Sequence, residues 1–354
     1  MKTLLFTLEY PPFHGGVANY YSNLVKYWPK PNEIFVLSNS DNRLINGKFP
    51  LLKWLPAFFS LRKKIKQEKI DHILVGQILP LGTVALIYSK FYKIKYSVFL
   101  HGMDFSWAVK SPRKKWLTGK ILKNADKIIC VNSYVADLAR QTFSGIKHKI
   151  IVVNPGINTN AENNAQQIIQ LKEKYHLENK MVLLSVGRLV KRKGFDVVVD
   201  CLPKTLEKIP NLIYVMIGDG PELKNYQSKN NVLIINNASD QERDLWYNIC
   251  DIFIMPSRNI NGDFEGFGIV YLEANLAGKP VIAGKSGGIS DAVIDGLNGL
   301  LVDPLSSDQI ISTIIKLAQD QSLRQKLGAQ GKARAINDFN WPKQTNKIYN
   351  FLIL

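Results

Sequence analysis

Residues 181–206 have the sequence MVLLSVGRLVKRKGFDVVVDCLPKTL, which indicates the fold class of the chain. Its first six residues form an apolar run, which predicts a buried strand. The strand leads into a loop bounded by Gly187 and Gly194, after which apolar residues recur at helical spacing. A buried strand, a glycine-bounded loop and a helix in direct succession predict one unit of a parallel α/β sheet covered by helices.

The same alternation continues on both sides of this stretch. Short apolar runs recur with helical patterns between most of them: LLFTL, EIFVLS, DHILVG, YSVFLHG, KIICVN and KIIVVNPG before it, and LIYVMIG, VLIIN, DIFIMPS, KPVIAG and GLLVDP after it. A polar stretch at 158–167, NTNAENNAQQ, interrupts the alternation and is typical of a linker. A chain of 354 residues is also too long for one typical core. The sequence therefore predicts two tandem doubly wound, Rossmann-like α/β domains, 1–160 and 161–339.

The formal net charge of +17 is concentrated in the first half of the chain. Up to residue 160 there are 24 Lys and Arg against 8 Asp and Glu, and beyond it 22 against 21. Because the local field follows local charge, the first domain is predicted to touch a polyanion or an anionic membrane surface. A solvated basic surface is the alternative. No apolar run approaches the ~20 residues that span a bilayer, so any predicted membrane contact is peripheral.

The ends and cysteines of the chain add two expectations. The opening residues, MKTLLFTLEYPPF, are typical of a first strand rather than of a signal peptide, because the apolar run is short and meets a glutamate and two prolines. We therefore expect a cytoplasmic protein, peripheral on the inner face of the membrane. Cys130, Cys201 and Cys250 are odd in number and widely spaced among apolar residues, which indicates core thiols rather than disulfides or metal ligands.

Two basic or glycine-rich loops follow predicted strands, where parallel sheets bind their ligands. Gly15 and Gly16 precede a helical pattern, and glycines at a helix N-terminus let backbone N–H groups approach a phosphate. A plain tight turn is the alternative. Arg188 and Lys193 can converge on one diphosphate, Arg as a fixed fork of donors and Lys as a point charge. A solvated basic loop is the alternative there.

The strongest signal is residues 265–274, EGFGIVYLEA, with two carboxylates eight positions apart around a glycine loop that opens a helix. Helical side chains lean toward the N-terminus, so Glu273 can reach back to a group held at the helix start. A carboxylate there suits both hydroxyls of a ribose, and Glu265 would meet whatever lies further out. Two solvated surface glutamates are the alternative, but such residues rarely border a Gly-Phe-Gly loop.

These clusters, in this order and spacing, make the chain resemble glycosyltransferase family 4, the retaining enzymes of GT-B architecture, over essentially its whole length. The supporting motifs are His14-Gly15-Gly16, His101-Gly102-Met103-Asp104, Asn154-Pro155-Gly156-Ile157, Gly187-Arg188 with Lys193-Gly194, Gly218-Asp219-Gly220-Pro221, Pro256-Ser257, and Glu265 with Glu273. The resemblance implies a working cleft between the two domains. It also implies that the C-terminal helix, 340–354, packs back on the first domain.

The resemblance further implies a retaining hexosyltransferase that uses a UDP or GDP sugar as substrate, with no cofactor. Arg188 and Lys193 would clamp the donor diphosphate, which Gly15 and Gly16 would also approach. The implied donor contacts of the second domain continue with Glu273 on the ribose, Glu265 on sugar hydroxyls, and the amides of Phe267, Gly268 and Ile269. His101 would contact the sugar near its anomeric centre, so that His101, Arg188, Lys193 and Glu265 form the catalytic set, with Asp104 on the acceptor side. No Asp-x-Asp pair occurs in the chain, so no metal ion is expected.

Three other classes of protein are alternatives to a family 4 glycosyltransferase. A nucleotide-sugar epimerase shares this architecture but lacks the full set of motifs. A sugar phosphorylase usually needs lysine-bound pyridoxal phosphate and a much longer chain. A nucleic-acid binder would explain the basic first domain, but no recognised nucleic-acid module accompanies the charge and the glycine loops would have no role.

Two segments of the first domain combine aromatic and cationic residues, as interfacial helices do. They are 49–69, FPLLKWLPAFFSLRKKIKQEK, and 107–120, WAVKSPRKKWLTGK. The predicted membrane contacts are Trp54, Phe58, Lys63, Lys64, Arg113, Lys114 and Lys115. The second segment follows His101 closely, which favours a lipid-linked or membrane-proximal saccharide acceptor. Core aromatics with merely solvated charges are the alternative.

Overall fold

The computed structural model of the chain describes residues 1–13, 15–40, 42–45, 53–158, 165–227 and 229–354. The chain divides into two compact units, Met1–Gly156 with Trp341–Leu354, and Ile157–Asn340. The linker predicted at 158–167 lies largely outside the described residues, since 159–164 are not among them. The division at Gly156 and Ile157 falls a few residues before the predicted boundary at 160.

The first unit is built on a six-stranded parallel sheet. Its strands are β1 (Thr3–Thr7), β2 (Ile34–Ser38), β3 (His72–Val75), β4 (Lys95–Leu100), β5 (Ile128–Cys130) and β6 (Ile150–Val152), in the order β2-β1-β3-β4-β5-β6. Every residue of β1 is buried, and Leu5 pairs with Val36 on one side and Leu74 on the other. This order places β3 and β4 at the centre with β1 beside β3, and the carboxyl ends of β1 and β4 lead into the loops that hold the predicted site residues of this unit.

Helices cover the first sheet. They are α1 (Gly16–Lys26), α2 (Leu55–Glu68), α3 (Leu81–Tyr92), α4 (Met103–Ala108), α5 (Pro112–Asn124) and α6 (Ser133–Thr142), with short 3₁₀ turns at Pro31–Glu33 and Ser144–Lys149. α3 contacts both α2 and α5. The C-terminal helix, Trp341–Ile353, belongs to this unit and lies against α1: Thr345 Oγ1 donates to the carbonyl of Tyr27 at 2.8 Å, and the rings of Trp28 and Tyr349 lie 5.6 Å apart.

The second unit has its own six-stranded parallel sheet. The strands are β7 (Met181–Val186), β8 (Leu212–Ile217), β9 (Val232–Ile235), β10 (Ile252–Met255), β11 (Val281–Gly284) and β12 (Gly299–Val302), in the order β12-β11-β10-β7-β8-β9. Its helices are α7 (Ala165–Lys174), α8 (Phe195–Leu206), α9 (Asp240–Ile249), α10 (Ile269–Leu276), α11 (Ile289–Ala292), α12 (Ser307–Gln319) and α13 (Gln321–Asp338), with 3₁₀ turns at Lys191–Lys193 and Leu223–Asn225.

The second sheet is buried on both faces, because the side chains of each strand alternate between two apolar clusters. In β7, Leu184 belongs to one cluster and Leu183 to the other. Burial on both faces explains why these strands appear in the sequence as continuous apolar runs. The quoted stretch forms the predicted strand, loop and helix, with β7 followed by α8, and the predicted class of two Rossmann-like parallel α/β domains is confirmed.

Two further expectations can be compared with the structure. All three cysteines are buried and unpaired. Among the described residues, none of the helices combines the length and the apolar character that crossing a bilayer requires.

Candidate functional site

The loops after β7 and β8 meet at the carboxyl edge of the second sheet through close backbone contacts. Gly187 N–H donates to the carbonyl of Ile217 at 2.9 Å, and Leu189 N–H donates to the carbonyl of Asp219 at 2.9 Å. A Cβ added to Gly218 would come within 2.1 Å of the Gly187 carbonyl oxygen, so only glycine fits there. The glycine motifs that begin at Gly187 and Gly218 therefore pack against each other at this edge of the sheet.

Lys193 and Glu265 form a buried ion pair at the same edge. Their side chains are hydrogen-bonded directly, and both residues are less than a tenth exposed. The Lys193 side chain also lies beside the ends of β7 and β10, because a Cβ built on Gly187 would be 3.9 Å from Lys193 Nζ and 3.9 Å from Met255 Sδ. The structure thus brings two of the predicted catalytic residues into contact.

A second cation shares the Glu265 carboxylate. Arg192 Nη1 donates to Glu265 Oε2 at 2.8 Å, while Arg192 Nε lies 3.1 Å from Asp263 Oδ1 as an ion pair without hydrogen-bond alignment. Burial by itself would raise the pKa of Glu265, but the charges and hydrogen bonds of Lys193 and Arg192 outweigh burial, and the pKa is lowered. Glu265 is therefore an ionised carboxylate with two cationic partners.

Arg188 is placed differently from Lys193, although both lie in the loop after β7. Its side chain is exposed, and no hydrogen bond or ion pair of that side chain is present among the described residues. The exposed guanidinium is available to a ligand at the strand end, whereas Lys193 must exchange or share Glu265 to bind one. Convergence of the two on a diphosphate stays a prediction.

The glycine loop before α10 leads directly into the N-terminus of that helix. Gly268 precedes the helix with φ of +79°, and a Cβ there would lie 2.3 Å from the Tyr271 ring. Phe267 is buried and packs on Phe339 with ring centroids 5.6 Å apart. Ile269 is the first residue of α10. The N–H groups of a first helical turn have no intrahelical acceptors, which is the feature that attracts anions.

Glu273 lies one turn further along α10. Its Oε2 accepts a hydrogen bond from Tyr247 Oη at 2.7 Å. Burial raises the pKa of Glu273, and the nearby charge of Arg243 and the Tyr247 hydrogen bond only partly offset that rise. No hydrogen-bond donor to its other oxygen, Oε1, is present among the described residues. The carboxylate is therefore fixed in orientation on one side, with one oxygen left for a ligand.

In the first unit, His101 directly follows β4 and packs among aromatic rings. Its Nε2 lies 2.7 Å from Tyr21 Oη, and its ring lies edge-on to Tyr20 and Tyr21 at 5.2 and 5.3 Å. Burial lowers the pKa of His101 to about 4, so the imidazole is neutral at physiological pH. A neutral, fixed imidazole can exchange hydrogen bonds with a sugar hydroxyl.

Asp104 shapes the turn that follows His101. Its Oδ1 accepts from the backbone N–H groups of His101 at 3.0 Å and Gly102 at 2.9 Å, which lie just before α4. Burial raises the pKa of Asp104 to about 6 against the opposing effect of these hydrogen bonds. Its Oδ2 is buried and has no partner among the described residues. One carboxylate oxygen is thus used on the backbone, and the acceptor-side role stays a prediction.

The glycine motif after β1 is placed at the start of α1. His14 lies outside the described residues, whereas Gly15 is the N-cap of α1 and Gly16 its first residue. A Cβ built on Gly16 meets nothing within 4 Å, while one on Gly15 would be 3.2 Å from the Phe13 ring. The space beside Gly16 is open to a ligand.

The predicted membrane contacts differ in exposure. Lys63, Arg113, Lys114 and Lys115 are exposed. Trp54 is half-buried, Phe58 packs edge-on to Tyr88 at 5.7 Å, and Lys64 is paired with Glu68 at 3.0 Å. The exposed aromatics near these cations are instead Phe59, Trp107 and Trp116, each about 60% exposed. Part of the 49–69 segment, residues 49–52, lies outside the described residues.

Sequence reasoning missed the partners of the named side chains. Tyr247 and Arg243 face Glu273, and Tyr21 faces His101. Arg192 pairs with Glu265 and is itself paired with Asp263. Arg192 and Asp263 could have been found, because each lies within two residues of a named site residue. Tyr247 and Tyr21 lie on helices remote in sequence from their partners. Over the described ranges, no group of three or more His, Cys, Asp and Glu is arranged to hold a metal ion.

Family comparisons match both units. The family described as "Glycosyl transferases group 1" matches residues 167–334, and the family described as "Glycosyltransferase Family 4" matches residues 14–161. Together the two matches leave only 162–166 and the two ends of the chain uncovered.

Individual relatives are similar over the full length. A GDP-mannose-dependent alpha-(1-6)-phosphatidylinositol monomannoside mannosyltransferase of Mycolicibacterium smegmatis is 26% identical, covering 99% of this chain and 97% of that protein. An uncharacterized glycosyltransferase of Methanocaldococcus jannaschii is 29% identical, covering 99% of both chains. Among solved structures, Anabaena HepE in complex with UDP-glucose has a TM-score of 0.81 at 21% identity, covering 99% of both chains. At that identity the structural likeness shows the fold.

Proposed function

The chain belongs to glycosyltransferase family 4, and from this premise we propose that it transfers a hexose from a UDP or GDP sugar to a lipid-linked or membrane-proximal saccharide acceptor. The anomeric configuration of the donor is retained, and neither a metal ion nor a cofactor takes part. The epimerase alternative is not favoured, because the matching families and the relatives above are glycosyltransferases.

The observation that carries this proposal is the pair of carboxylates on either side of the N-terminus of α10. Glu265 is ionised between Lys193 and Arg192, and Glu273 is oriented by Tyr247 with Oε1 left for a ligand. Glu273 accepts ribose hydroxyls, and Glu265 accepts hydroxyls of the donor sugar. The backbone N–H groups at the start of α10 donate hydrogen bonds to the diphosphate that joins the ribose to the donor sugar.

The leaving diphosphate performs the proton chemistry of the transfer. The bond between the anomeric carbon and the diphosphate oxygen breaks as the acceptor hydroxyl attacks from the same face, and the departing oxygen takes the hydroxyl proton. Arg188 and Lys193 stabilise the negative charge that grows on the diphosphate. Arg192 keeps Glu265 paired while Lys193 turns toward the donor, so no buried carboxylate is left without a cation.

The identity of the donor is bounded by what the relatives bind. The mycobacterial relative is named for GDP-mannose, and the HepE structure contains UDP-glucose. Both are hexoses on a nucleoside diphosphate, which is the class proposed here. The named acceptor of the mycobacterial relative, a phosphatidylinositol monomannoside, supports a lipid-linked acceptor for this chain.

We further propose that the first unit binds the cytoplasmic face of a membrane. α5 presents Arg113, Lys114 and Lys115, all exposed, and its Trp116 is 61% exposed. The nearby segment 103–108 adds the exposed Trp107. Each cation near an anionic leaflet contributes ~1 kcal/mol, and exposed tryptophans favour the interfacial region of a bilayer. Several such contacts hold a protein reversibly at a membrane.

A donor screen followed by a transfer assay tests the proposal. Thermal shift against UDP, GDP and ADP sugars should show one nucleotide class raising the Tm, because a ligand of the native state stabilises it. The same sugar, radiolabelled, should then pass into chloroform-soluble material when bacterial membranes are added. Label that enters only water-soluble oligosaccharides would reject the lipid-linked acceptor, and no shift with any nucleotide sugar would reject the donor class.

A further inference from the structure

The buried hydroxyl of Tyr21 connects two hydrogen-bonding groups in the first unit. Tyr21 Oη lies 2.6 Å from the carbonyl oxygen of Gly76 and 2.7 Å from Nε2 of His101. Tyr21 is fully buried, so water is not available to replace either partner. Burial also raises the pKa of Tyr21 well above its ordinary value, reinforced by Tyr20, Asp104 and Glu9, so the hydroxyl keeps its proton.

The Tyr21 hydroxyl has a single proton, which it can donate to only one of these two neighbours. A carbonyl oxygen only accepts, so a 2.6 Å separation from Gly76 requires the Tyr21 proton to point at that carbonyl. Tyr21 Oη is then left with lone pairs toward His101. The 2.7 Å contact is a hydrogen bond only if Nε2 carries a proton and donates it to Tyr21 Oη.

A protonated Nε2 determines the state of the other ring nitrogen. Burial holds the pKa of His101 at about 4, so the ring carries a single proton at physiological pH. Nδ1 is therefore a bare acceptor with no hydrogen-bond partner among the described residues, and His101 as a whole is only partly buried. The ring cannot easily turn, because Tyr20 and Tyr21 meet it edge-on and Phe99 stacks at 6.1 Å.

We propose that Tyr21 is a positioning residue that fixes His101 as the Nε2–H tautomer, so that Nδ1 accepts a hydrogen bond from a hydroxyl of the transferred sugar. The ligand group at Nδ1 is a donor, a hydroxyl or an amide N–H, and a carboxylate or phosphate oxygen is rejected there. This inference rests on the proposed function for the identity of the ligand, while the tautomer itself does not.

The chain supplies a matched control in the adjacent residue. Tyr20 is also buried and also meets the His101 ring edge-on, but its hydroxyl has no hydrogen-bond partner among the described residues. Tyr20→Phe therefore removes a hydroxyl beside the same imidazole without touching the bond to Nε2. Tyr21→Phe removes the hydroxyl that makes both bonds. A difference between the two variants isolates the hydrogen bond from the packing of the ring.

The tautomer is read directly by two-bond ¹H–¹⁵N NMR on protein with ¹⁵N-labelled histidine. The five histidines are assigned by single substitutions, including His101→Gln. The wild type and Tyr20→Phe should show His101 with Nε2 protonated and Nδ1 bare, whereas Tyr21→Phe should show a mixture of tautomers. A protonated Nδ1 in the wild type, or an unchanged tautomer in folded Tyr21→Phe, overturns the proposal. A wild type without transferase activity leaves this spectrum readable, which separates failure of the proposed function from failure of this inference.

Kinetics test the contact at Nδ1. With the nucleotide sugar that gives the largest thermal shift, Tyr21→Phe should lower kcat about 10-fold, as expected for loss of one oriented hydrogen bond in the transition state. Tyr20→Phe should keep kcat within about 2-fold, and both variants should bind the free nucleoside diphosphate as the wild type does. Thermal melts confirm that each variant is folded. Equal kcat values in folded Tyr21→Phe and Tyr20→Phe overturn the role of Nδ1.

Discussion

Glu273→Gln is expected to weaken donor binding and to make the fold more stable at the same time. Tyr247 Oη donates to Glu273 Oε2 at 2.7 Å. In the proposed function, Oε1 accepts a hydroxyl of the donor ribose. The amide keeps an oxygen for Tyr247 but puts an N–H donor where Oε1 was. The variant therefore loses one charge-assisted hydrogen bond to the donor while the helix and the Tyr247 contact persist.

The size of the binding effect follows from that single lost bond. A hydrogen bond to a charged group contributes about 1.5–3 kcal/mol, which corresponds to about 10- to 150-fold in affinity. The ribose is remote from the bond that breaks, so the contact is made equally in the ground state and in the transition state. Such an interaction raises KM when it is removed and leaves kcat nearly unchanged.

The stability effect has the opposite sign, because burial raises the pKa of Glu273 more than Arg243 and Tyr247 lower it. A carboxyl whose pKa is higher in the folded than in the unfolded state destabilises the fold when ionised. That penalty is absent below the unfolded pKa and grows as the pH rises above it, so it is present at pH 7. Glutamine never ionises, so the Tm of the variant should exceed that of the wild type at pH 7, and the difference should disappear in acid.

Initial rates of nucleoside diphosphate release give KM and kcat, and thermal melts at pH 7 and near pH 4, about the pKa of an ordinary glutamate, give the Tm difference. Glu207→Gln is the control, since Glu207 is exposed in the same unit and should change neither quantity. A KM equal to that of the wild type would refute the assignment of Glu273 to the ribose. A lower Tm at pH 7 would refute the electrostatic reasoning.

Three other outcomes are expected. Arg188→Ala and Lys193→Ala should each lower kcat by ~10²-fold if they stabilise charge growing on the diphosphate, and near-normal turnover in both would remove them from the site. Saturating EDTA should leave most of the rate, because protein cations neutralise the diphosphate, whereas loss of activity restored by Mg²⁺ would contradict this. Liposome flotation should require anionic lipid and weaken with salt. Flotation should fall when Lys63, Lys64, Arg113, Lys114 and Lys115 are neutralised but not when Lys172, Lys174, Lys180, Lys204 and Lys208 of the second unit are, and equal recovery with neutral vesicles would reject membrane docking.

Much of the architecture could be predicted from the sequence, because strands buried on both faces leave continuous apolar runs. The run at 181–186 is β7, and the glycine-bounded loop and helix follow it as predicted. Gly268 could be placed at a helix start for a similar reason: its φ of +79° and the nearby Tyr271 ring demand glycine. Secondary structure and backbone conformation depend on residues that are close in sequence, so they can be predicted from the sequence.

Pairings between distant segments could not be predicted. Tyr247 reaches Glu273 because the fold packs α9 against α10, and Tyr21 reaches His101 because the fold places α1 beside the end of β4. The aromatic residues of α2 show the same limit. The sequence pattern predicts a membrane contact for Phe58, but Phe58 packs on Tyr88, whereas its neighbour Phe59 is 59% exposed. Phe58 and Phe59 are adjacent on α2 and therefore point in different directions from the helix. The position of α3 determines which of the two side chains is covered.

The stereochemical course of the reaction tests whether the protein is a retaining glycosyltransferase. The donor that gives the thermal shift is incubated with enzyme and acceptor, and ¹H NMR follows the anomeric proton while ³¹P NMR follows the phosphates. We expect a glycoside with the anomeric configuration of the donor, formed together with an equal amount of nucleoside diphosphate. An inverted product would contradict retention, and a changed sugar still attached to its nucleotide would show an epimerase instead of a transferase.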